Sequence, residues 1–310
     1  MPSFSCTVEE PIAIGLRLDR YIAEHLRILS RSQIKARNLE ARLNGRTVKV
    51  SRILKGGEFL ELFWNEAESP FLIPEDLPLD VIYEDLRVIV VNKAQGLVVH
   101  PGAGNSRGTL ANALLYRRLE KMQGGLDAGK ADSLAVTGLR PGIVHRLDKD
   151  TSGLIIAAWD DEALAFLAGQ FKARKVRKSY AALVRGCPPD AQGCIDKKII
   201  RSTRDRKIFT VSDGKGRASL TYFKLVRSYG DYSLLLLRPK TGRTHQIRVH
   251  LKYLGTPILG DPIYGTIDPR LPDLSLMLHA KRLSLVLPNG KPETFRTALP
   301  ERFKITKEQR

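Results

Sequence analysis

The stretch GIVHRLDKDTSGLIIAA, residues 142–158, reads as two apolar runs joined by a polar turn. GIVHRL and GLIIAAW, the latter ending at Trp159, are each apolar enough to form a buried strand. Between them Asp150, Thr151, Ser152 and Gly153 are turn-forming residue types. Asp148 therefore falls where a strand gives way to a loop, the position from which rigid elements present reactive groups. It has Arg146 two places before it and Lys149 directly after. Asp150 is the better candidate for bonding local backbone amides and is read as structural. The tripeptide Arg-Leu-Asp also occurs at 17–19, so the tripeptide decides nothing by itself. On spacing alone, Asp148 is equally a salt-bridge partner and a catalytic group.

Outward from this stretch the strand-like pattern continues, in RVIVVNK (87–93), GLVVH (96–100), YAALVRG (180–186), YSLLLLRPK (232–240) and LSLVLP (283–288). Helical patterns are interspersed at TLANALLYRRLEKM (109–122) and DEALAFLAGQFKAR (161–174). A Gly-rich loop is expected over 123–142 and a very polar one over 201–217. Many short strands with a few helices predict an α+β domain built on a mixed, largely antiparallel sheet. Its expected bounds are 79–300, followed by a tail at 301–310.

Residues 1–65 read as a separate small α/β module, joined by a proline-punctuated linker over 66–78. GLRLDRYIAEHL (15–26) has roughly helical apolar spacing, and Asp19 sits near a helix start, where exposed amides favour a carboxylate. SRSQIKARNLEARL (30–43) predicts a second helix, with Ser30 and Gln33 placed as a capping box. On it Arg31, Lys35, Asn38 and Arg42 would share one face. NGRTVKV and EFLELFW then predict short strands.

The chain has 310 residues and a formal net charge of +18, a balance expected of a polyanion binder. Residues 170–252 hold 21 basic and 5 acidic residues, so one region carries nearly all of the excess. Cys6, Cys187 and Cys194 are too few and too scattered for a disulfide framework, and their spacing is not that of a zinc site. His245 and His250 flank a probable strand and do not make a helical metal pair, so no metal is expected. No apolar run reaches the ~18–20 residues of a membrane span. The start lacks a basic segment followed by an apolar one, which predicts a cytoplasmic protein.

RPGIVHRLDKDTSGLIIAA closely resembles the signature of the RluA-type RNA pseudouridine synthases. VIVVNKAQGLVVHPGAGN resembles that family's preceding segment, and QFKARKVRKSYAALVRG its tyrosine motif. LRPKTGRTHQIRVHLKYLGTPILGDPIYG resembles its third motif almost throughout. The likeness covers roughly residues 78–290. NKAQG departs from the family pattern, in which proline usually follows the lysine. The N-terminal module is similar to the small RNA-binding domain named after ribosomal protein S-four, although its second half conforms loosely.

The resemblance implies an isomerisation without cofactor: the bond from uridine's nitrogen 1 to the sugar is cut, and carbon 5 is joined there instead. It implies that Asp148 is the catalytic aspartate and that Arg243 pairs with it, keeping it ionised and aimed. Tyr180 would pack on the uracil and help to remove the proton from carbon 5. Arg146 would occupy the space the flipped nucleotide leaves. Lys175 and Lys178, in a basic run beside Tyr180, and Arg31 and Lys35 in the small module, would contact RNA, while His145 is structural. The implied partner is structured RNA, 23S ribosomal RNA or a large-subunit precursor, with transfer RNA still open. Nothing demands more than a monomer. A non-enzymatic RNA-binding or assembly protein would be marked by loss of Asp148, Tyr180 or Arg243, and all three are present.

Overall fold

A computed structural model describes residues 2–11, 13–65, 72–102, 104–123, 142–205 and 208–304. Residues 66–71 of the expected linker, nearly all of the expected Gly-rich loop, Arg206 and Lys207 of the polar loop, and the tail from 305 lie outside them. The chain divides into two units, Met1–Phe71 and Leu72–Arg310.

In the first unit, β1 (Ser3–Thr7), β2 (Glu40–Leu43), β3 (Arg46–Val48) and β4 (Phe59–Phe63) form an antiparallel sheet in the order β1-β4-β2-β3. Helix α1 (Leu18–Arg20) runs directly into a π-helical segment, Tyr21–Leu26. Leu18, Tyr21, Ile22 and Ile34 pack with Leu60 and Leu62 of β4 into this unit's own core. Helix α2 (Arg31–Ala36) opens with the expected capping box: the Gln33 amide donates to Ser30 Oγ at 3.4 Å, and the Ser30 amide donates to Gln33 Oε1 at 2.8 Å. The helix ends seven residues earlier than its sequence pattern predicts. Asn38 takes a left-handed conformation (φ 47°), and the Leu39 amide bonds back to Ile34. Beyond it Ala41 and Leu43 are buried, alternating with Glu40 and Arg42, so period two wins over period 3.6. Arg42 is therefore on a strand, over the ring of Phe63, and not on a helical face with Arg31 and Lys35.

The second unit begins with β5 (Val81–Glu84), β6 (Val88–Lys93), α3 (Leu110–Gln123), β7 (Gly142–Ile143), β8 (Ser152–Ala158) and α4 (Asp161–Lys172). It continues with β9 (Arg177–Arg185), β10 (Gln192–Asp196), β11 (Lys198–Arg201), β12 (Phe209–Ser212), β13 (Leu220–Ser228) and β14 (Tyr232–Pro239). Last come α5 (Gln246–Tyr253), β15 (Leu278–Val286) and β16 (Pro292–Arg296). Among the described residues ten strands make one sheet along the path β10-β13-β14-β9-β15-β8-β6-β5, with β16 on β15 and β7 on β8. Its pairings are antiparallel except β15 with β8. The expected mixed, largely antiparallel α+β class is what the structure shows.

Gly153 permits the parallel pairing of β8 with β15. Its φ is +115°, and a Cβ there would run into the backbone of Ala280. The GIVHRL run forms a strand only at Gly142 and Ile143. The next amide that β7 would pair, that of Ile156, donates instead to His145 Nε2 at 3.1 Å. A side chain takes over the ladder, and the main chain peels away toward Asp148. His145, stacked on Phe171, is thus the structural residue expected.

Three histidines sit in the fold as neutral rings. Burial, with help from Lys178, pushes His145 down to about 3. Burial likewise brings His250, beside Thr221, and His279, between Ser152 and Thr297, to about 4. Unfolded, each titrates near ~6.5. Their contribution to stability is complete above that value and is lost as pH falls toward the folded values, at about 1.4 kcal/mol per pH unit per ring. The urea midpoint should therefore drop steeply between about pH 6 and pH 4. A midpoint that stays level across that interval would show that these rings are already charged in the fold.

Candidate active site

The loop carrying Asp148 is pinned from below by Lys93, the last residue of β6. Lys93 is buried, and its ammonium donates to the carbonyls of Ala94, Leu97 and Lys149 at 2.7, 2.8 and 2.9 Å. The Gly96 amide bonds the same Lys149 carbonyl. Burial lowers the Lys93 pKa to about 8, with Asp150 and Asp148 opposing the shift. Asp150 makes none of the expected bonds to local amides among the described residues. Its charge instead supports the buried ammonium.

On the other side of Asp148 stands α5. The stretch HQIRVHL, whose pattern predicts a strand flanked by histidines, is helical from Gln246 onward, with His245 in a left-handed conformation at its start. The alternation of Ile247, Val249 and Leu251 is misleading because every residue from Gln246 to Leu251 is buried. The helix is fixed by polar bonds one turn apart: Gln246 Nε2 donates to Thr221 Oγ1 at 2.9 Å, and His250 Nδ1 lies 3.0 Å from the same hydroxyl. Gln246 Oε1 also accepts from Thr241 Oγ1 and from the Arg243 amide, which fastens the preceding loop.

Arg248 is the guanidinium that faces Asp148. Its Nη1 lies 3.7 Å from Asp148 Oδ2. Its Nε and Nη2 hold Asp261 in a bidentate pair at 2.8 and 2.7 Å, both side chains being almost fully buried. Burial favours the neutral form of Asp261, but Arg248 and the amides of Ile263 and Tyr264 outweigh it and hold its carboxyl below the ordinary range. Tyr264 lies under the Arg248 guanidinium at 5.1 Å and bonds His245 Nδ1 through its hydroxyl. The expected partner, Arg243, is not paired with Asp148. Its backbone is taken up by Gln246, and its Nε points to the Ala218 carbonyl at 3.3 Å. It lines the same pocket without touching the carboxylate.

That pocket has a volume of about 110 Å³ and is bounded by Arg146, Asp148, Lys178, Tyr180, Arg243 and Arg248, among others. It is far smaller than the ~300–1,000 Å³ of drug-sized sites, a scale suited to one base. Tyr180, on β9 opposite Leu237 and Ala280, is buried. Its burial, and secondarily the Asp148 charge, push its hydroxyl well above the usual range, so it rests as a neutral phenol. Lys178 lies on the same strand face two residues earlier, and its ammonium is lowered by burial. Arg146 is exposed at the rim. The basic run before Tyr180 does not crowd one approach, because strand alternation sends Arg177 and Ser179 to the opposite face, and Lys175 lies outside this pocket. In the first unit Arg31 is bonded to Asp19 at 3.1 Å, while Lys35 is exposed. Among the described residues no cluster of His, Cys, Asp or Glu could hold a metal ion.

A family profile described as "RNA pseudouridylate synthase" matches residues 87–253, more than half of the chain. The chain belongs to that family. It is similar to "Ribosomal large subunit pseudouridine synthase D" of Borreliella burgdorferi, at 42% identity over 94% of this chain and 88% of that one. The protein of the same name from Zymomonas mobilis is 37% identical over 98% and 96%. Among solved structures, "Human RNA Pseudouridylate Synthase Domain Containing 1" is alike with a TM-score of 0.57, at 28% identity over 77% and 87%. The chain is accordingly an isomerase that converts uridine to pseudouridine in RNA.

Sequence reading missed Arg248, Asp261 and Lys93 as site residues of this pseudouridine synthase. All three lie inside the quoted motifs, yet nothing in spacing alone tells Arg243 from Arg248. Replacing Arg248 by Gln leaves Asp261 charged and unpaired, so it should cost about 3–5 kcal/mol of stability. Arg243→Gln breaks only a solvent-accessible contact and should cost under about 1 kcal/mol. Guanidinium denaturation midpoints of the two variants decide this, and equal losses would refute the assignment of Arg248 as the buried partner.

Proposed function

We propose that this pseudouridine synthase acts on RNA of the large ribosomal subunit, in the cytoplasm, with Asp148 as its catalytic residue. The substrate reading is supported by the names of its relatives. The observation that carries the catalytic reading is a carboxylate in a base-sized pocket, 3.7 Å from a buried guanidinium. A direct charge-assisted hydrogen bond would be ~2.7–2.9 Å long and would occupy the oxygen's lone pair. At the observed separation Arg248 stabilises the negative charge and leaves an oxygen free to attack or deprotonate the sugar–base unit.

In this scheme the target uridine leaves the RNA stack and enters the pocket, with its ring against Tyr180. Extrusion costs a few kcal/mol, and Arg146 at the rim fills the space left behind. Asp148 acts at the sugar–base unit, the bond to nitrogen 1 breaks, and the uracil turns to present carbon 5. The new carbon–carbon bond forms, carbon 5 loses its proton to solvent and nitrogen 1 gains one, so the composition is unchanged overall. Because Tyr180 rests as a phenol, it can accept the carbon 5 proton only after passing its own on. The S-four-like reading of the first unit makes it an RNA-holding module, with Lys35 exposed and Arg31 sharing its charge with Asp19.

With ribosomal RNA labelled by tritium at carbon 5 of uridine, Asp148→Asn should abolish label release while changing RNA affinity less than threefold. Residual turnover in that variant would remove Asp148 from the chemistry. Deleting residues 1–71 should raise the half-saturation concentration and leave the single-turnover rate nearly unchanged. A folded fragment that binds normally but turns over slowly would contradict the holding role.

A further inference from the structure

The sheet of the catalytic unit carries a second cavity, of about 1230 Å³, on the face away from the uridine pocket. Register and alternation establish the side. Thr221 and Tyr180 face α5 and the pocket, so Tyr222 and Ser179, their neighbours, face the other way. Tyr222 stands directly opposite Arg238 on one side and Cys194 on the other, Lys224 opposite Leu236, and Arg282 opposite Ser179. The trough therefore crosses five adjacent strands, about 19 Å at ~4.8 Å per gap. Arg174 and Lys175, from the turn after α4, form part of its wall.

Eight of the lining residues are Arg or Lys and none is Asp or Glu. None of the eight makes an ion pair with a carboxylate among the described residues. Cations at such density repel one another, and the arrangement is favourable only with a polyanion across it. An exposed aromatic ring beside them, Tyr222, is the surface on which a base can stack. Lys178 and Pro239 line both cavities, so a chain can pass from one face to the other around the ends of β9 and β14.

We propose that this trough binds an unpaired RNA segment flanking the target uridine, a reading that rests on the RNA substrate proposed above. Phosphates lie along Lys224, Arg238 and Arg282, and a base stacks on Tyr222. The width holds about five nucleotides at a stacked rise of ~3.4 Å.

The test uses the full chain and the triple variant K224Q/R238Q/R282Q, whose substituted side chains are exposed and outside the uridine pocket. A labelled oligouridine of roughly ten nucleotides should bind the variant about tenfold more weakly, with the salt slope reduced by about 2 for three lost phosphate contacts. Y222A should weaken binding about fivefold or more without changing the slope. Oligouridine should slow alkylation of Cys194, inside the trough, and leave exposed Cys187, outside it, unaffected. On a stem-loop substrate, unpaired tails should lower the half-saturation concentration for the wild type and give no benefit to the variant, with equal turnover numbers. Unchanged binding and unprotected Cys194 overturn the proposal. Equal displacement of the oligouridine by polyglutamate also overturns it, in favour of an acidic protein partner. Absence of label release by the wild type from either stem-loop would count against the substrate reading alone, since the binding and alkylation results stand without turnover.

Discussion

The site depends on one guanidinium placed between two carboxylates at unequal distances. Arg248 is committed to Asp261 through two short hydrogen bonds, and Asp261 is in turn fixed by two backbone amides. Removing charges from water costs several kcal/mol per ion, and only such complete bonding offsets it. The result is a cation that cannot swing toward Asp148 and close to hydrogen-bonding distance. Asp148 therefore faces a fixed cation at 3.7 Å without a direct hydrogen bond to it, which leaves its oxygens open to the pocket.

Placement of Asp148 itself comes from the opposite direction. Lys93 grips the carbonyl of the next residue, and His145 takes the amide that would otherwise have extended β7. Each replaces ordinary main-chain pairing by a side-chain bond at one defined point. The loop is thus held at both ends while Asp148 projects between them. This explains why a lysine is tolerated in a nearly inaccessible position: all three of its N–H bonds have acceptors, so burial lowers its pKa without leaving a donor unsatisfied.

Much of this was legible in the sequence, and the failures have common causes. The sheet class, the Ser30–Gln33 cap and the structural role of His145 all follow from local pattern and residue chemistry, whereas the strand expected to run up to Asp148 stops at Ile143, because His145 takes the amide that would have continued it. The helix at 246–253 was misread because a fully buried element has no polar face to reveal its period, so Ile247, Val249 and Leu251 mimic a strand. The second helix was extended too far because Asn38 can adopt a left-handed conformation that a propensity reading does not detect. Arg243 was preferred to Arg248 because identical residue types in one motif are separated only by three-dimensional direction. Asp261, which discriminates between them, lies 13 residues beyond Arg248 in a turn with no local signature.

Strand alternation also separates the two physical tasks of the enzyme. Along Arg177–Tyr180, Tyr180 lines only the pocket, Arg177 and Ser179 only the opposite face, and Lys178 reaches both. An isomerisation supplies no free energy from a second substrate, so extrusion of the base must be offset by binding elsewhere on the RNA. Contacts to phosphate are well suited to this, because they are independent of the base and do not change as the uracil turns. Placing most of them on the opposite face leaves Lys178, which lines both cavities, as the cation that the two surfaces share. Seven of the 21 basic residues between 170 and 252 line the trough, so the proposed division of labour within single strands, one side gripping the polymer and the other turning over its base, accounts for a third of that concentration of charge.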